Sequence, residues 1–146
     1  MAEDGQATGE AVGEAAGEAK ELPLADRLRK IDREHEMLLS MQDQLLTALN
    51  QHFRQKTIEK MIHILKMYVR FHFELEEQTM ALCQYDRLCE HKAEHGEFWV
   101  AMQAIETKFK GGRDVYEDIR KFFVRLAGHH ISQSDEMFLQ YARTLL

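Results

Sequence analysis

The chain has 146 residues, of which 45% are hydrophobic and 30% charged, with two cysteines and a formal net charge of −6. Its length fits one domain with its own core, and two cysteines are too few for a disulfide framework. No stretch approaches 18 apolar residues, which argues against a membrane span. The opening MAEDGQATGE lacks the basic and apolar regions of a secretory signal. These features predict a cytoplasmic protein.

The negative charge is concentrated in the first part of the chain. Residues 1–22 hold six acidic residues and one basic residue, whereas the other 124 residues hold 19 acidic and 18 basic ones. A nearly neutral body has no basic surface for nucleic acid or anionic lipid, so we expect neither partner. Residues 5–19 repeat Gly-Glu-Ala blocks, a composition that predicts a disordered tail over residues 1–22. A docking segment is the alternative interpretation.

Residues 23–146 show the pattern of four long helices. Apolar side chains recur with the helical period of 3.6 residues in four runs. These runs lie at about 24–49, 55–82, 86–109 and 113–145. Because short connections make consecutive helices antiparallel, the sequence predicts an all-α protein with an up-down-up-down four-helix bundle. No strand pattern competes with it.

Histidines and acids interrupt the apolar stripes at regular intervals. They are His35 in the first run, His72 and Glu76 in the second, His91 and His95 in the third, and His130 and Asp135 in the fourth. Two side chains four residues apart lie one turn apart on one helix face, so both can reach the same point in a bundle core. The seven residues are therefore candidates for one shared site.

A metal site explains this convergence better than chance does. A single buried histidine is more often a hydrogen-bonded core residue, but seven unpaired polar groups buried together would cost several kcal/mol. Imidazole and carboxylate without thiolate favour iron, manganese or zinc. Seven ligands exceed one octahedron, which predicts two ions bridged by the two carboxylates. No histidine follows a glutamate by three residues, so the ferritin-like pattern is disfavoured.

The ordered motifs resemble those of the hemerythrin family, in particular bacterial hemerythrin-like domains. The motifs are IDREH ending at His35, then H-x-x-x-E, H-x-x-x-H and H-x-x-x-x-D, and the resemblance covers residues 24–146. It implies two iron ions bridged by an oxo or hydroxo group and two carboxylates. The implied ligands are His91, His95 and His130 for one iron, His35 and His72 for the other, and Glu76 and Asp135 for both.

The resemblance also implies a function. The iron with three histidines has six ligands and the iron with two histidines has five, so O2 is expected to bind reversibly at the latter. The expected role is O2 storage, delivery or scavenging rather than catalysis. The alternatives are a sensor of O2, redox state or NO, and a di-iron enzyme acting on peroxide or NO. Phe98 and Ile131 are candidates for lining the O2 pocket, with ordinary core packing as the alternative.

Two features of the fourth run depart from the expected pattern. His130 and Asp135 are five residues apart, which places them about 140° apart on an ideal α-helix. The spacing therefore predicts a π-turn, and the nearby Gly128 would ease it. Hemerythrins commonly have Trp-Leu four and three residues before this histidine, where Leu126 and Ala127 stand here. Their smaller size predicts a wider pocket, so that Ala127→Leu should slow autoxidation.

The remaining polar candidates are expected to be structural. We expect His129 to be exposed, and His52 and His63 match no motif position. Cys83 and Cys89 are predicted to be buried as small apolar residues, with redox activity as the alternative. Asp32 is either a hydrogen-bond acceptor that orients His35 or a solvated acid.

Overall fold

The computed structural model describes residues 22–146, so the predicted acidic tail lies, apart from Leu22, outside the described residues. Four helices follow one another along the chain. They are α1 (Leu24–Asn50), α2 (Gln55–Leu82), α3 (Leu88–Lys110) and α4 (116–143). Consecutive helices pack on each other and α1 also contacts α4, which closes the bundle. The predicted all-α four-helix bundle is confirmed.

Tight turns set where the later helices begin. α3 begins at Leu88 rather than near residue 86, because Gln84 has a positive φ of 52° and the backbone N–H of Tyr85 donates to the carbonyl of Met80. α4 begins at Tyr116, whose backbone N–H donates to the side chain of Asp114. Gly112, with φ of 82°, supplies the left-handed residue after α3. Apolar periodicity does not record these turns.

α4 contains a long π-helical segment. It is α-helical over Tyr116–Arg125, π-helical over Leu126–Asp135 and α-helical again over Glu136–Arg143. The π-turn predicted from the five-residue spacing is confirmed, although it extends over ten residues. The wider helix lets His130 and Asp135 both face the interior, at 2% and 1% exposure.

The apolar core is divided into two clusters. The larger cluster includes Leu38 and Val69, and the smaller one includes Ile31 and Leu75. Ile31 and Leu38 lie one turn before and after His35, and Val69 and Leu75 flank His72 in the same way. The polar residues predicted from the sequence therefore form a layer between the two clusters.

The helices are too polar to cross a bilayer. Within residues 22–146 no helix combines the length and the continuous hydropathy that a membrane-spanning segment requires.

Candidate metal centre

All seven predicted residues meet at the centre of the bundle. Each of the seven residues is at most 7% exposed. Each helix contributes at least one of them. They are His35 from α1, His72 and Glu76 from α2, His91 and His95 from α3, and His130 and Asp135 from α4.

The donor atoms fall into two groups that share both carboxylates. Within each group the donor atoms lie within 4.8 Å of one another. One group is Glu76, His91, His95, His130 and Asp135, and the other is His35, His72, Glu76 and Asp135. The three-histidine half and the two-histidine half therefore have the composition that the sequence motifs implied.

The two oxygens of Glu76 face different halves. Its Oε1 lies 2.5 Å from Nε2 of His72 and 3.2 Å from Nε2 of His35. Its Oε2 lies 3.0 Å from Nε2 of His91 and 3.2 Å from Nε2 of His95. A carboxylate with this orientation can provide one oxygen to each of two cations.

Asp135 has the same arrangement from the opposite side of the site. Its Oδ2 lies 3.0 Å from Nε2 of His35. Its Oδ1 lies 2.9 Å from Nε2 of His91 and 3.1 Å from Nε2 of His130. Both carboxylates thus span the two halves, one from α2 and one from α4.

Several of these donors are buried without a hydrogen-bond partner within residues 22–146, and two donor nitrogens face each other. Nε2 of His72 and both carboxylate oxygens of Asp135 are buried and have no hydrogen-bond partner among the described residues. Nε2 of His95 and Nε2 of His130 lie only 3.0 Å apart. Two ligands bound at right angles to one ion, at about 2.1 Å each, are about 3.0 Å apart. The donor set therefore fits a cation in each half.

A family model described as the hemerythrin HHE cation binding domain matches residues 26–142. The chain belongs to the hemerythrin family. It is 30% identical over 115 residues to a bacteriohemerythrin of Clostridium acetobutylicum, covering 75% of this chain and 89% of that protein. It is 23% identical over 116 residues to a bacteriohemerythrin of Stenotrophomonas maltophilia, covering 80% and 75% respectively. No solved structure matches the chain. Family membership supports a cation in this cluster, with iron as the metal.

Three glutamates hold the histidines of this hemerythrin-family site from outside. Nδ1 of His72 lies 3.0 Å from Glu34, and Nδ1 of His95 lies 3.2 Å from Glu77. Nδ1 of His130 lies 2.7 Å from a third carboxylate, that of Glu94. Each glutamate can accept a hydrogen bond from Nδ1–H, which fixes the ring and leaves the Nε2 lone pair for a metal.

The apolar periodicity and the motif spacing do not single out these three glutamates. Glu34 and Glu94 each stand immediately before a ligand candidate, and Glu77 immediately follows one. Adjacent positions on a helix point about 100° apart, so they lie outside the inward stripe and reach sideways to a neighbouring helix. The Glu-His pair occurs at 34–35, 90–91 and 94–95, and this repeat is the signal that could have found two of the three glutamates.

The carboxylates decide the charge of the imidazoles. Burial alone lowers the pKa of a histidine, but Glu76 together with Glu34 raises the pKa of His72 to about 10. Asp135 and Glu76 likewise raise the pKa of His130 to about 10 and that of His91 to about 9 against the effect of burial. Burial raises the pKa values of Glu76 and Asp135, yet the histidines around them bring both below the ordinary values. In the metal-free protein the protonated imidazoles therefore balance the negative charge of the carboxylates. A bound metal would take the place of these protons.

The two candidates for lining an O2 pocket lie beside the larger apolar cluster. Phe98 is 4% exposed, and its ring centroid lies 5.3 Å from that of His130 in the three-histidine half. Ile131 is partly buried and packs against the same cluster. Core packing is therefore shown for both residues, and a role in lining an O2 pocket stays a prediction.

Of the remaining sequence predictions, those on the other histidines and Cys83 are confirmed and that on Cys89 is wrong. His129, His52 and His63 are exposed and lie outside the two donor groups, and Cys83 is buried as expected. The prediction that Cys89 is buried is wrong: it is exposed, because Leu88 and His91 take the inward positions of the first turn of α3.

Of the two interpretations of Asp32, the solvated acid is confirmed. Its side chain is 52% exposed and lies 3.6 Å from the guanidinium of Arg143 on the bundle surface. His35 instead contacts Glu76 and Asp135 through its Nε2. Asp32 therefore does not orient His35.

Proposed function

We propose that this protein holds two iron ions and binds O2 reversibly at the ion held by His35 and His72. The single observation that carries the proposal is the unequal division of the donors. Glu76 and Asp135 direct one oxygen to each half, while three imidazoles face one half and two face the other. The two-histidine half therefore lacks one protein donor, which leaves room for a small exogenous ligand.

Each residue of the cluster has a defined part in this proposal. The five Nε2 atoms would be the nitrogen ligands, and the carboxylates of Glu76 and Asp135 would each provide one oxygen to either ion. When bound, the ferrous pair supplies the electrons and the affinity for O2 that no side chain provides. The outer glutamates keep His72, His95 and His130 in the orientation that presents Nε2 to the metal.

The surrounding apolar side chains exclude water from the site. Leu38 and Val69 are 0% exposed on one side of the polar layer, and Ile31 is 0% exposed on the other. A dry environment limits the supply of protons to a bound ligand and so slows irreversible oxidation. The proposed physiological role is storage, delivery or scavenging of O2, with O2 as the ligand and no catalytic residue.

An optical spectrum tests this function. Iron-loaded protein is reduced without air, then aerated, then degassed, and its metal content is measured in parallel. We expect two iron ions per chain and a visible charge-transfer band that appears with air and fades on degassing. Irreversible oxidation on first contact with air would contradict reversible binding and move a sensor or an enzyme acting on peroxide or NO ahead.

Matched variants assign the band to the site. His72→Leu removes one nitrogen from the two-histidine half and should abolish the reversible band. His63→Leu makes the same change at an exposed histidine outside both donor groups and should leave the band intact. Equal spectra for the two variants would contradict the assignment of O2 to the two-histidine half.

A further inference from the structure

The metal centre is buried, yet a cavity reaches one of its ligands from the surface. This cavity, of about 230 Å³, lies between α3 and α4 and has His91 in its wall. Glu90, Glu94, Ser134 and Met137 also line it. Since an ion has to pass through the packed bundle to reach the cluster, a cavity that ends on a ligand shortens its path.

Within the described part of the chain, His91 lacks the outer glutamate that the other two histidines of its half have. His95 and His130 each have a glutamate at Nδ1. Among residues 22–146 no group accepts a hydrogen bond from Nδ1 of His91, although the residue is only 4% exposed. Its Nε2 contacts the carboxylates of Glu76 and Asp135, at 3.0 Å and 2.9 Å.

Glu94 is the most accessible of the three outer glutamates. Its side chain is 45% exposed, compared with 16% for Glu34 and 25% for Glu77. Its Oε2 accepts hydrogen bonds from Nδ1 of His130 and from the hydroxyl of Ser134. One carboxylate therefore lies in the cavity and contacts a residue of the buried cluster at the same time.

Glu90 extends this carboxylate path outward. It lies one turn before Glu94 on α3 and is exposed at the cavity. Arg87 and His91 are the basic side chains in the cavity wall, and the carboxylates of Glu90 and Glu94 face them there. Carboxylate oxygens bind divalent cations and exchange them readily when the site is open to water.

We propose that this cavity is the entry route for Fe2+, in which Glu90 and then Glu94 bind the ion before His91 passes it to Glu76 and Asp135. The proposal rests on the proposed function, because its cargo is the iron of that centre. The transfer changes no oxidation state and makes or breaks no covalent bond within the protein. Entry through the cavity predicts that the charge at its mouth sets the rate of iron uptake without changing the final amount bound.

Met137 offers a test with a closely matched control. It lies at the cavity and is 48% exposed, while Met37, on α1 and outside the cavity lining, is 49% exposed. Metal-free variants Met137→Lys, Met137→Glu and Met37→Lys are mixed anaerobically with Fe2+ alone. Uptake is stopped at set times with excess chelator, and bound iron is counted after desalting.

We expect Met137→Lys to slow uptake about three- to tenfold and Met137→Glu to accelerate it by a similar factor. Met37→Lys should match the parent protein. All rates should converge at about 0.5 M salt, where the Debye length is only a few ångströms. Glu90→Gln should slow uptake, while Glu36→Gln, at an exposed glutamate beside His35, should not.

The outcomes separate this proposal from the proposed function. Equal uptake rates for the Lys, Glu and parent proteins, with two iron ions bound in each, would overturn the entry route and leave the metal centre standing. A parent protein that binds no iron would overturn both. Different rates with equal final iron content support the route, because a structural defect would lower the final content as well.

Discussion

The two helical hairpins, α1–α2 and α3–α4, build the site by the same plan. Besides a Glu-His pair at 90–91 that occurs in α3 alone, the first helix of each hairpin carries one at corresponding positions, 34–35 and 94–95. In each, that glutamate holds Nδ1 of the histidine on the second helix, which is His72 or His130. A carboxylate farther along the second helix then bridges the two halves.

One position breaks this equivalence. The residue one turn before His35 in α1 is Ile31, whereas the residue one turn before His95 in α3 is His91. Ile31 is fully buried in the smaller apolar cluster, whereas His91 contacts both bridging carboxylates. A single side chain therefore gives the three-histidine half one more donor than the two-histidine half. The coordination position proposed for O2 is then the place where the first hairpin has isoleucine.

The hairpins also differ in the second helix. α2 is regular and places His72 and Glu76 four residues apart. α4 places His130 and Asp135 five residues apart and becomes π-helical over Leu126–Asp135. The same inward geometry is reached with one more residue in the second hairpin.

Deleting one residue from each spacing should give the largest contrast. Deleting Glu74 from regular α2 rotates every later residue by about 100°, which removes Glu76 from the centre and misaligns the rest of the helix. Deleting Ser132 removes the surplus residue of α4 and should convert the π segment to α-helix with both ends in register.

Circular dichroism and metal content distinguish the two deletions. We expect the Glu74 deletion to lose cooperative unfolding and iron binding, and the Ser132 deletion to keep both. Both residues are exposed and lie between a ligand candidate and its carboxylate, so the pair is matched. Equal losses of cooperative unfolding and iron binding in the two deletions would show that α4 contains no surplus residue.

Introducing the missing donor tests the other difference. Ile31→His should fill the open position of the two-histidine half, so that iron still binds but the reversible O2 band disappears. Ile62→His places the same group at a fully buried position in the larger cluster, at 1% exposure. It should destabilise the protein by several kcal/mol with no recovery on adding iron. A full O2 band in the Ile31 variant would refute the equivalence with His91.

The hairpins should respond alike to pH when metal is absent. The pKa values of His72 and His130 are both raised to about 10 from 6.5. Their stabilising contribution is complete below pH 6.5 and is lost as the pH rises through about 10. Glu76 and Asp135, whose pKa values are lowered, contribute above their ordinary pKa values and lose that contribution as the pH falls.

Thermal unfolding at pH 6 and pH 9 measures this dependence. We expect the Tm of the metal-free protein to fall by roughly 5 °C or more between these values. Iron binding should become tighter over the same interval, because fewer protons have to be displaced. His72→Gln and His130→Gln should each remove a similar share of the pH dependence. A metal-free Tm that rises with pH would contradict the sign.

The smallest effect concerns the glycines of α3 and α4. A Cβ added to Gly128 in the π segment, or to Gly96 in regular α3, would meet no atom within 4 Å. Both substitutions with alanine should stabilise the protein by about 0.5–1 kcal/mol, measured by denaturant unfolding. A loss of stability for Gly128→Ala alone would show that the π segment needs the flexibility of glycine.

Helix periodicity and motif spacing were sufficient to predict the bundle, the seven clustered residues and the π segment. These properties depend on which face of a single helix points inward, and a sequence records that face directly. The turn that delays α3 to Leu88 and the roles of Glu34, Glu77 and Glu94 depend on contacts between segments. One helix considered alone carries no trace of such contacts.

The polar layer between the two apolar clusters has a consequence for how the protein loosens. Without metal, the layer between the larger cluster and the smaller one, which contains Leu28 and Phe138, is held by imidazole–carboxylate contacts such as those of His35 and His91. The amides of the smaller cluster are then expected to exchange with solvent in openings that leave the larger cluster intact. Metal bound to all four helices would merge the two cooperative units into one. In a chain without iron, proteases could cleave at the locally unfolded end of the bundle. The bound ions would therefore also protect the metal-loaded protein from degradation.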